Sequence, residues 1–281
     1  MPGLISEPAS TPLTPGEYLE KALAWSKEVQ SKVKCELDIA YGPDERQKLD
    51  VYPPEPSGAT PVPVLMFMHG GYWVVGHKDT LGFMAPPITS APAVLVTAGY
   101  RLAPGVKYPV QVDDCRTALK WVFENIAKYG GDTDRIFVSG HSAGGHLAAL
   151  LTLQTGRLRD FGLSEGVIKG CFPVSGVFDV TDAPPDRRDA FLPSPDHAEE
   201  ASPVYNTSGN RTPFFLEIGE NDFPTLRAQH AAMLKALQQH PGAVETMERQ
   251  GHDHFNISLD HGDAGNPWSR KVREWMARPP K

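Results

Sequence analysis

The amino-acid sequence predicts an α/β protein in which helices cover both faces of a mostly parallel central sheet. Apolar runs typical of strands alternate with amphipathic segments typical of helices through most of the chain. One of these runs, VPVLMFMHG, is continuous and ends in glycine, as expected of a strand buried on both faces. A chain of 281 residues, 40% hydrophobic and 22% charged, can also bury a deep core and form a substrate cleft.

A helix and a hairpin are predicted before this alternation begins. Residues 1–13 are rich in Pro, Ser and Thr and are expected to form a flexible arm. The segment from Thr14 to Val33 is predicted to be an amphipathic helix, capped by Thr14 and with Pro15 in its first turn. The turn-like GPDER separates two alternating segments, CELDIAYG and QKLDVYPP, and predicts an antiparallel hairpin that extends one edge of the sheet.

The rest of the chain follows the strand–helix order of a parallel sheet. After VPVLMFMHG, the predicted strands are AVLVTAGY, RIFVSG, GCFPVSGVF, PFFLEIG and VETMERQ. The predicted helices are PVQVDDCRTALKWVFENIAKYG, SAGGHLAALLTL, FPTLRAQHAAMLKALQQH and PWSRKVREWMA. No internal repeat or change of composition marks a second domain, so residues 14–281 are predicted to form a single domain.

One segment, residues 179–211, interrupts the alternation. It is dense in Pro, Asp and Arg, shows little periodicity and is too long for a simple connection, which predicts a small lid or cap over a site. A disordered surface insertion is the alternative. Four apolar side chains are expected to anchor a cap: Phe191, Leu192, Val204 and Tyr205.

Composition excludes several kinds of partner. The net charge of −7, the pI near 5.8 and the absence of a Lys/Arg cluster argue against nucleic acid. We expect a cytoplasmic protein without membrane association, because no apolar stretch could span a bilayer and the first residues do not resemble a signal peptide. The three cysteines are far apart and show no metal or redox spacing, so they are expected to be reduced thiols in the core. No metal and no cofactor are predicted. A homodimer is left open.

The most informative stretch is VSGHSAGGH, which contains a G-x-S-x-G pattern centred on Ser142 between a predicted strand and a predicted helix. A nucleophile on so tight a turn can project its oxygen only if its neighbours carry almost no side chain. The following helix begins at Ala143, whose N–H could bind an oxyanion. A plain tight turn would not explain a serine between two glycines as well.

A serine nucleophile needs a base and an acid. In hydrolases whose serine lies in G-x-S-x-G on a strand-to-helix turn, the acid and then the histidine follow the serine along the chain. Asp222 follows the predicted strand PFFLEIG, and Asp179 after an earlier strand is the alternative acid. His252 and His254 both follow the strand VETMERQ. Metal binding by HDH is disfavoured, because no cysteine or helical carboxylate–histidine spacing accompanies it. His146, one helical turn beyond Ser142, is expected to be packed rather than catalytic.

The stretch HGGYW follows the predicted strand VPVLMFMHG. Gly70 and Gly71 lack side chains, so their backbone can approach a developing oxyanion and donate N–H groups to it. The main-chain N–H of Tyr72 could also donate. The side chains of Tyr72 and Trp73 would then line the cleft, although for Trp73 packing in the core is the open alternative.

Five motifs in order resemble the hormone-sensitive-lipase-like branch of the α/β-hydrolases: HGGYW, YRLAP, YPVQVDD, GHSAGG and DHF. The resemblance covers the chain from about Val33 onward and implies the α/β-hydrolase fold. The HGGYW form is similar to kynurenine formamidases. In this branch Phe commonly follows the catalytic histidine, which favours His254. The resemblance implies a triad and three oxyanion donors: Ser142, Asp222 and His254, with Gly70, Gly71 and Ala143.

The expected function is that of a serine hydrolase acting through an acyl-enzyme. It would hydrolyse an aryl formamide such as N-formyl-kynurenine to the free amine and formate. The alternatives are a broad carboxylesterase for short-chain acyl or aryl esters and, from another class, a non-catalytic ligand receptor on the same fold. Formyl is the smallest acyl group, so aromatic bulk could restrict the acyl side while an aryl amine stacks across it. Five aromatic residues are candidates for this lining: Tyr72, Trp73, Phe191, Phe223 and Phe255.

Overall fold

Eight strands form one sheet in the computed structural model of the protein, which describes residues 12–55 and 61–278. The sheet order is β1-β2-β4-β3-β5-β6-β7-β8, with β1–β2 and β2–β4 antiparallel and all other pairs parallel. The strands are β1 Glu36–Ala40, β2 Lys48–Tyr52, β3 Val62–Met68, β4 Val94–Ala98, β5 Gly131–His141, β6 Ile168–Val174, β7 Phe214–Gly219 and β8 Val244–Arg249. The predicted sheet with a hairpin at one edge is therefore confirmed.

Helices pack on both faces of this sheet. They are α1 Pro15–Gln30, α2 Ala85–Thr89, α3 Val110–Asn125, α4 Ala143–Leu153, α5 Thr155–Leu158, α6 Pro185–Phe191, α7 Pro224–Leu237, α8 Asn256–Leu259 and α9 Pro267–Ala277. Thr14 caps α1 as predicted, and its side-chain oxygen accepts from the N–H of Glu17 at 3.3 Å. The short helices α2, α5, α6 and α8 were not predicted, because at most two turns leave too little periodicity to detect. Of the arm predicted for residues 1–13, only Pro12 and Leu13 lie within the described residues.

The core forms two layers, one on each face of the sheet. Successive residues of β3 alternate between them: Met66 belongs to the layer that includes buried residues of α3, α4 and α7, and Phe67 belongs to the layer that includes those of α1 and α9. Every residue of β3 is buried, which explains its continuous apolar sequence. Each fully buried large apolar side chain stabilises the fold by about 1.5–3 kcal/mol, so the central strands form a rigid platform for the loops at their carboxyl ends.

One predicted strand ends early. The segment GCFPVSGVF was expected to be extended throughout, but β6 runs from Ile168 to Val174 and the chain turns at Ser175. Ser175 has a φ of 48°, which is incompatible with a strand. The turn matters for the site, because it directs the Ser175 side chain toward the loop that follows β7.

Residues 179–211 lie between β6 and β7 and contain α6. Phe191 and Leu192 are buried in the core, as expected of anchors. The prediction that Tyr205 anchors the segment was wrong, because 54% of Tyr205 is exposed and its hydroxyl donates to Asp179 at 3.2 Å. Lys107 ties the segment down, donating from Nζ to the Leu192 carbonyl at 3.0 Å. Its action as a lid stays a prediction.

Candidate active site

Ser142 occupies the one-residue turn between β5 and α4. Its φ of 56° and ψ of −119° form a conformation that costs a non-glycine residue about 1–3 kcal/mol. Two backbone hydrogen bonds hold it there, from Ser142 N to Val174 O at 2.9 Å and from His146 N to Ser142 O at 3.0 Å. The surrounding sheet and helix therefore impose the strained conformation that projects the serine side chain.

The neighbouring glycines are sterically required. A Cβ added to Gly140 would collide with the carbonyl group of Gly144, and one added to Gly144 would collide with the carbonyls of Met68 and His69. A Cβ on Gly145 would lie only 3.0 Å from the carbonyl oxygen of Gly140. The G-x-S-x-G pattern thus lets the first turn of α4 pack directly against the ends of β3 and β5.

The structure brings Ser142, His254 and Asp222 into one chain of hydrogen bonds. His254 Nε2 lies 3.0 Å from Ser142 Oγ, and His254 Nδ1 lies 2.9 Å from Asp222 Oδ1. Asp222 follows β7 and His254 follows β8, so neighbouring parallel strands deliver both side chains to the same edge of the sheet. The carboxylate can only accept, so Nδ1 carries the proton and Nε2 offers its lone pair to the serine hydroxyl. Such an arrangement can transfer the serine proton to the imidazole.

Asp222 accepts two further hydrogen bonds, from Ser175 Oγ at 2.5 Å and from the N–H of Phe223 at 2.7 Å. Burial alone would raise the pKa of Asp222. The hydrogen bonds from His254, Ser175 and Phe223 outweigh that effect and hold the pKa below its ordinary value. Ser175 was not predicted, since a single serine after a strand carries no sequence signal for this contact.

The two alternative residues lie elsewhere. His252 Nε2 is 3.3 Å from Asp260 Oδ2 and does not take part in the chain of hydrogen bonds at Ser142. Asp179 accepts from Thr181 and Tyr205 within its own segment. The structure therefore joins His254 and Asp222, and not His252 or Asp179, to Ser142.

His141 supports the loop that carries His254. Its Nε2 donates to the main-chain carbonyl of His254 at 2.7 Å, and the two ring centroids are 4.7 Å apart. Burial lowers the pKa of His141 to about 3, so the ring stays neutral and adds no positive charge beside His254. The residue before the serine thus fixes the position of the histidine loop from within β5.

The backbone of HGGYW lies against the serine. A Cβ on Gly70 would lie 3.0 Å from the carbonyl oxygen of His141 and 3.2 Å from the Cβ of Ser142, which is tighter than ordinary contact, so glycine favours the close approach. Gly71 has a φ of 115°, and a Cβ there would collide with the carbonyl of Val75. Glycine therefore suits both positions of the motif, Gly70 for close approach and Gly71 for its backbone conformation.

Hydrogen bonds fix the peptide planes of this loop. His69 Nδ1 donates to the Gly70 carbonyl at 2.8 Å, and the N–H groups of Val74 and Val75 donate to the Gly71 carbonyl at 3.0 Å each. In a trans peptide the N–H points opposite the C=O, so the N–H groups of Gly71 and Tyr72 point away from these contacts.

Neither N–H group has an acceptor in the part of the chain that the structure describes, and the same holds for Ala143 at the start of α4. These amides are free to bind a ligand oxygen.

Two of the five aromatic residues do not line a cleft. Trp73 and Phe191 are both fully buried and stack with ring centroids 4.1 Å apart. This corrects the expectation that they line a cleft, because neither side chain has any exposed surface. For Trp73 the alternative of core packing holds.

The other three candidate aromatic residues have exposed surface near His254 or in the HGGYW loop. Phe223 is 44% exposed and its ring centroid lies 4.9 Å from that of His254. Phe255 is half-buried, and its ring centroid lies 5.2 Å from that of His254. Tyr72 is also half-buried, and the guanidinium carbon of Arg187 in α6 lies 5.9 Å from its ring centroid. The mouth of the site is therefore aromatic with one cation at its rim.

No group of three or more His, Cys, Asp or Glu suited to a metal ion occurs within residues 12–55 and 61–278. Over the same ranges, no helix has the length and apolar character needed to cross a membrane. A cavity of about 630 Å³, whose lining includes Arg135, Ile168 and Pro213, lies toward the amino ends of β5, β6 and β7. It contains none of the site residues, which lie at the carboxyl ends.

Comparison with known proteins shows the family and the fold of the chain. Residues 65–257 match a family model described as the α/β-hydrolase fold, and the chain belongs to that family. It is 32% identical to kynurenine formamidase of Salmo salar, over 79% of this chain and 75% of that protein. It is 29% identical to esterase LipQ of Mycobacterium tuberculosis, over 84% of this chain and 60% of that protein. An esterase structure from Pyrobaculum calidifontis shares the fold, with a TM-score of 0.74 at 23% identity and coverage of 93% and 91%.

The predicted family and its fold are thus confirmed. The protein is a hydrolase of the α/β fold, of the esterase or formamidase type.

Proposed function

We propose that the protein is a serine hydrolase that acts through an acyl-enzyme, with an aryl formamide such as N-formyl-kynurenine as its preferred substrate. The observation that carries the proposal is the unbroken chain of hydrogen bonds from Ser142 through His254 to Asp222. The likeness to kynurenine formamidases, at 32% identity over most of both chains, supports the formamide. The products would be the free aryl amine and formate.

In the first step Ser142 Oγ attacks the formyl carbon and its proton passes to His254 Nε2. The carbonyl oxygen becomes an oxyanion, for which the free N–H groups of Gly71, Tyr72 and Ala143 are the proposed donors. Loss of one such donor typically lowers kcat by about 10²–10³-fold. Gly70 contributes the clearance that its missing side chain leaves beside Ser142, and donation by its own N–H stays a prediction.

In the second step His254, now an imidazolium, returns its proton to the nitrogen of the leaving amine, and the C–N bond breaks. Asp222 stabilises the imidazolium through its contact with Nδ1. Water then enters and attacks the formyl carbon while His254 Nε2 takes one of its protons. The bond between this carbon and Ser142 Oγ breaks, His254 returns the proton to Oγ, and formate leaves. Proton transfer by a positioned side chain contributes about 10²–10⁴-fold to such reactions.

The shape of the site favours a small acyl group and an aromatic leaving group. Trp73 and Phe191 fill the space behind the HGGYW loop without leaving accessible volume around either ring. Phe223 and Tyr72 keep exposed surface at the mouth, where an aryl amine could stack. Arg187 beside Tyr72 supplies a cation that suits the carboxylate of an amino-acid substituent on the aryl group.

A carboxylesterase for short acyl or aryl esters is the second candidate, favoured by the likeness to esterase LipQ. The two are separated by comparing kcat/KM on N-formyl-kynurenine with kcat/KM on phenyl acetate and longer acyl esters. We expect a higher kcat/KM for the formamide. A negligible kcat/KM on the formamide would reject the formamidase proposal in favour of the esterase.

The Ser142→Ala variant tests the shared mechanism. It should lose at least about 10⁴-fold in kcat while keeping the melting temperature within a few degrees, because only one oxygen atom is removed. Labelling of wild-type Ser142 by an organophosphate should be stoichiometric. Failure to label it would reject the serine mechanism and favour a ligand receptor.

A further inference from the structure

Trp73 has a backbone conformation that residues other than glycine rarely adopt. Its φ is 63° and it follows Tyr72 at 50° and Gly71 at 115°, so three consecutive residues have positive φ. This turn carries the free N–H groups of Gly71 and Tyr72. Such a turn persists only where surrounding contacts determine it, and the Trp73 carbonyl accepts from Ala103 N at 2.9 Å.

The Trp73 indole joins the turn to two other elements. Its Nε1 donates to His146 Nδ1 at 3.1 Å, and His146 Nε2 donates to the Ala201 carbonyl at 2.6 Å. One face of the indole stacks on Phe191 at the end of α6, with an interplanar angle of 14°. His146 lies one turn beyond Ser142 in α4. The indole therefore connects the turn, the nucleophile helix and the segment between β6 and β7.

The protonation state of His146 is determined by these contacts. A carbonyl only accepts hydrogen bonds, so Nε2 must carry the proton, which leaves Nδ1 as the acceptor for the indole N–H. Burial lowers the pKa of His146 to about 4, and the ring is accordingly neutral near pH 7. All polar atoms of the Trp73 and His146 side chains are paired, so the contact is fixed in one arrangement.

We propose that Trp73 and His146 are positioning residues that hold the amides of Gly71 and Tyr72 where the oxyanion forms. The inference rests on the proposed acyl-enzyme function. Without the indole N–H the turn can relax away from α4, and the amides would then bind the oxyanion less well. The substrate in its ground state carries no such charge, so the loss falls mainly on the transition state.

The test is Trp73→Phe, which keeps an aromatic ring to stack on Phe191 but removes the N–H donor. We expect kcat to fall about tenfold, less than for complete loss of a donor, with KM within about twofold. The affinity for an aryl trifluoromethyl ketone, which forms an oxyanion adduct with Ser142, should fall by the same factor as kcat. The affinity for the corresponding alcohol, which forms no adduct, should not change. Trp121→Phe, at a half-buried tryptophan of α3, is the matched control and should behave as wild type.

His146→Asn provides an independent arm. Asn can accept from the indole through its Oδ1, so it should keep more of the ketone affinity than His146→Leu, which loses both contacts. Rates are normalised to the sites titrated by an organophosphate, so that misfolded protein does not count.

Unchanged kcat and ketone affinity in Trp73→Phe, or a deficit that disappears on normalisation, would overturn the inference. If instead wild-type Ser142 is not labelled, the proposed function itself fails, and the two failures are therefore distinguishable.

Discussion

Ser175 Oγ donates to Oδ2 of Asp222 at 2.5 Å, while Oδ1 of the same carboxylate accepts from His254. The turn that ends β6 at Ser175 brings this hydroxyl to the carboxylate. The two oxygens of Asp222 are thus held from opposite sides, and the carboxylate plane is fixed relative to the imidazole. A residue outside the proposed triad therefore orients its acid.

Ser175→Ala should lower kcat about tenfold, because a hydrogen bond to a charged group is worth about 1.5–3 kcal/mol and part of that orients Asp222. The pKa of Asp222 should rise, since one of the hydrogen bonds that lowers it is removed. The loss should therefore grow as the pH falls. Steady-state rates from pH 8 to pH 5 measure both effects. Ser164→Ala, at an exposed serine, is the control, and equal rates in the two variants would contradict this role.

Gly144→Ala should abolish activity and destabilise the fold by about 3 kcal/mol or more, because the added Cβ meets backbone carbonyls of Met68 and His69 that cannot move freely. Gly156→Ala is the matched control, since nothing lies within 4 Å of a Cβ there and the residue is in α5. The control should be stabilised by up to about 1 kcal/mol. Urea unfolding measures both values, and similar stabilities would refute the steric explanation of the pattern.

The sequence could predict the parts of the site that depend on local structure. The tight turn at Ser142 needs small neighbours within three residues, and the strand–turn–helix context is visible from periodicity. Asp222, His252 and His254 each follow a predicted strand, which places them at the same sheet edge, but only the family resemblance favoured His254 over His252. The contacts of Ser175 and the burial of Trp73 depend on packing between distant segments. Neither leaves a periodic or spacing signal in the sequence.

Four buried histidines predict a loss of stability in mild acid. Burial lowers the pKa of His69, His146 and His230 to about 4 and that of His141 to about 3. In the unfolded chain each has its ordinary value of 6.5. Below that pH the unfolded chain binds more protons than the folded one, so the free energy of unfolding falls as the pH decreases from 6.5 toward 4. Each histidine contributes a slope of up to about 1.4 kcal/mol per pH unit.

His230→Gln tests this at a histidine outside the proposed triad. His230 Nε2 lies 2.7 Å from Thr246 Oγ1, a contact that Gln can replace. Between pH 6.5 and pH 4 the slope of unfolding free energy against pH should decrease by up to about 1.4 kcal/mol per pH unit, which corresponds to one proton. His252 acts in another window, since hydrogen bonding to Asp260 raises its pKa and its contribution is lost as the pH rises above 6.5. An unchanged slope in His230→Gln would show that this histidine does not resist protonation.

Arg187→Gln tests the proposed amino-acid substituent of the substrate. The guanidinium lies at the rim beside Tyr72 and is partly exposed, with Asp186 Oδ2 at 3.3 Å from its Nε. Because a solvated ion pair is weak, KM for N-formyl-kynurenine should rise only about three- to tenfold, with kcat nearly unchanged. KM for a neutral substrate such as phenyl acetate should stay the same. Arg188→Gln, at the next position of α6, is the control, because its Nε lies 3.4 Å from Asp189 Oδ1 and no contact joins it to Tyr72. An equal change in KM on charged and neutral substrates would show that Arg187 only supports the segment between β6 and β7. An unchanged KM would show that Arg187 does not bind a substrate carboxylate.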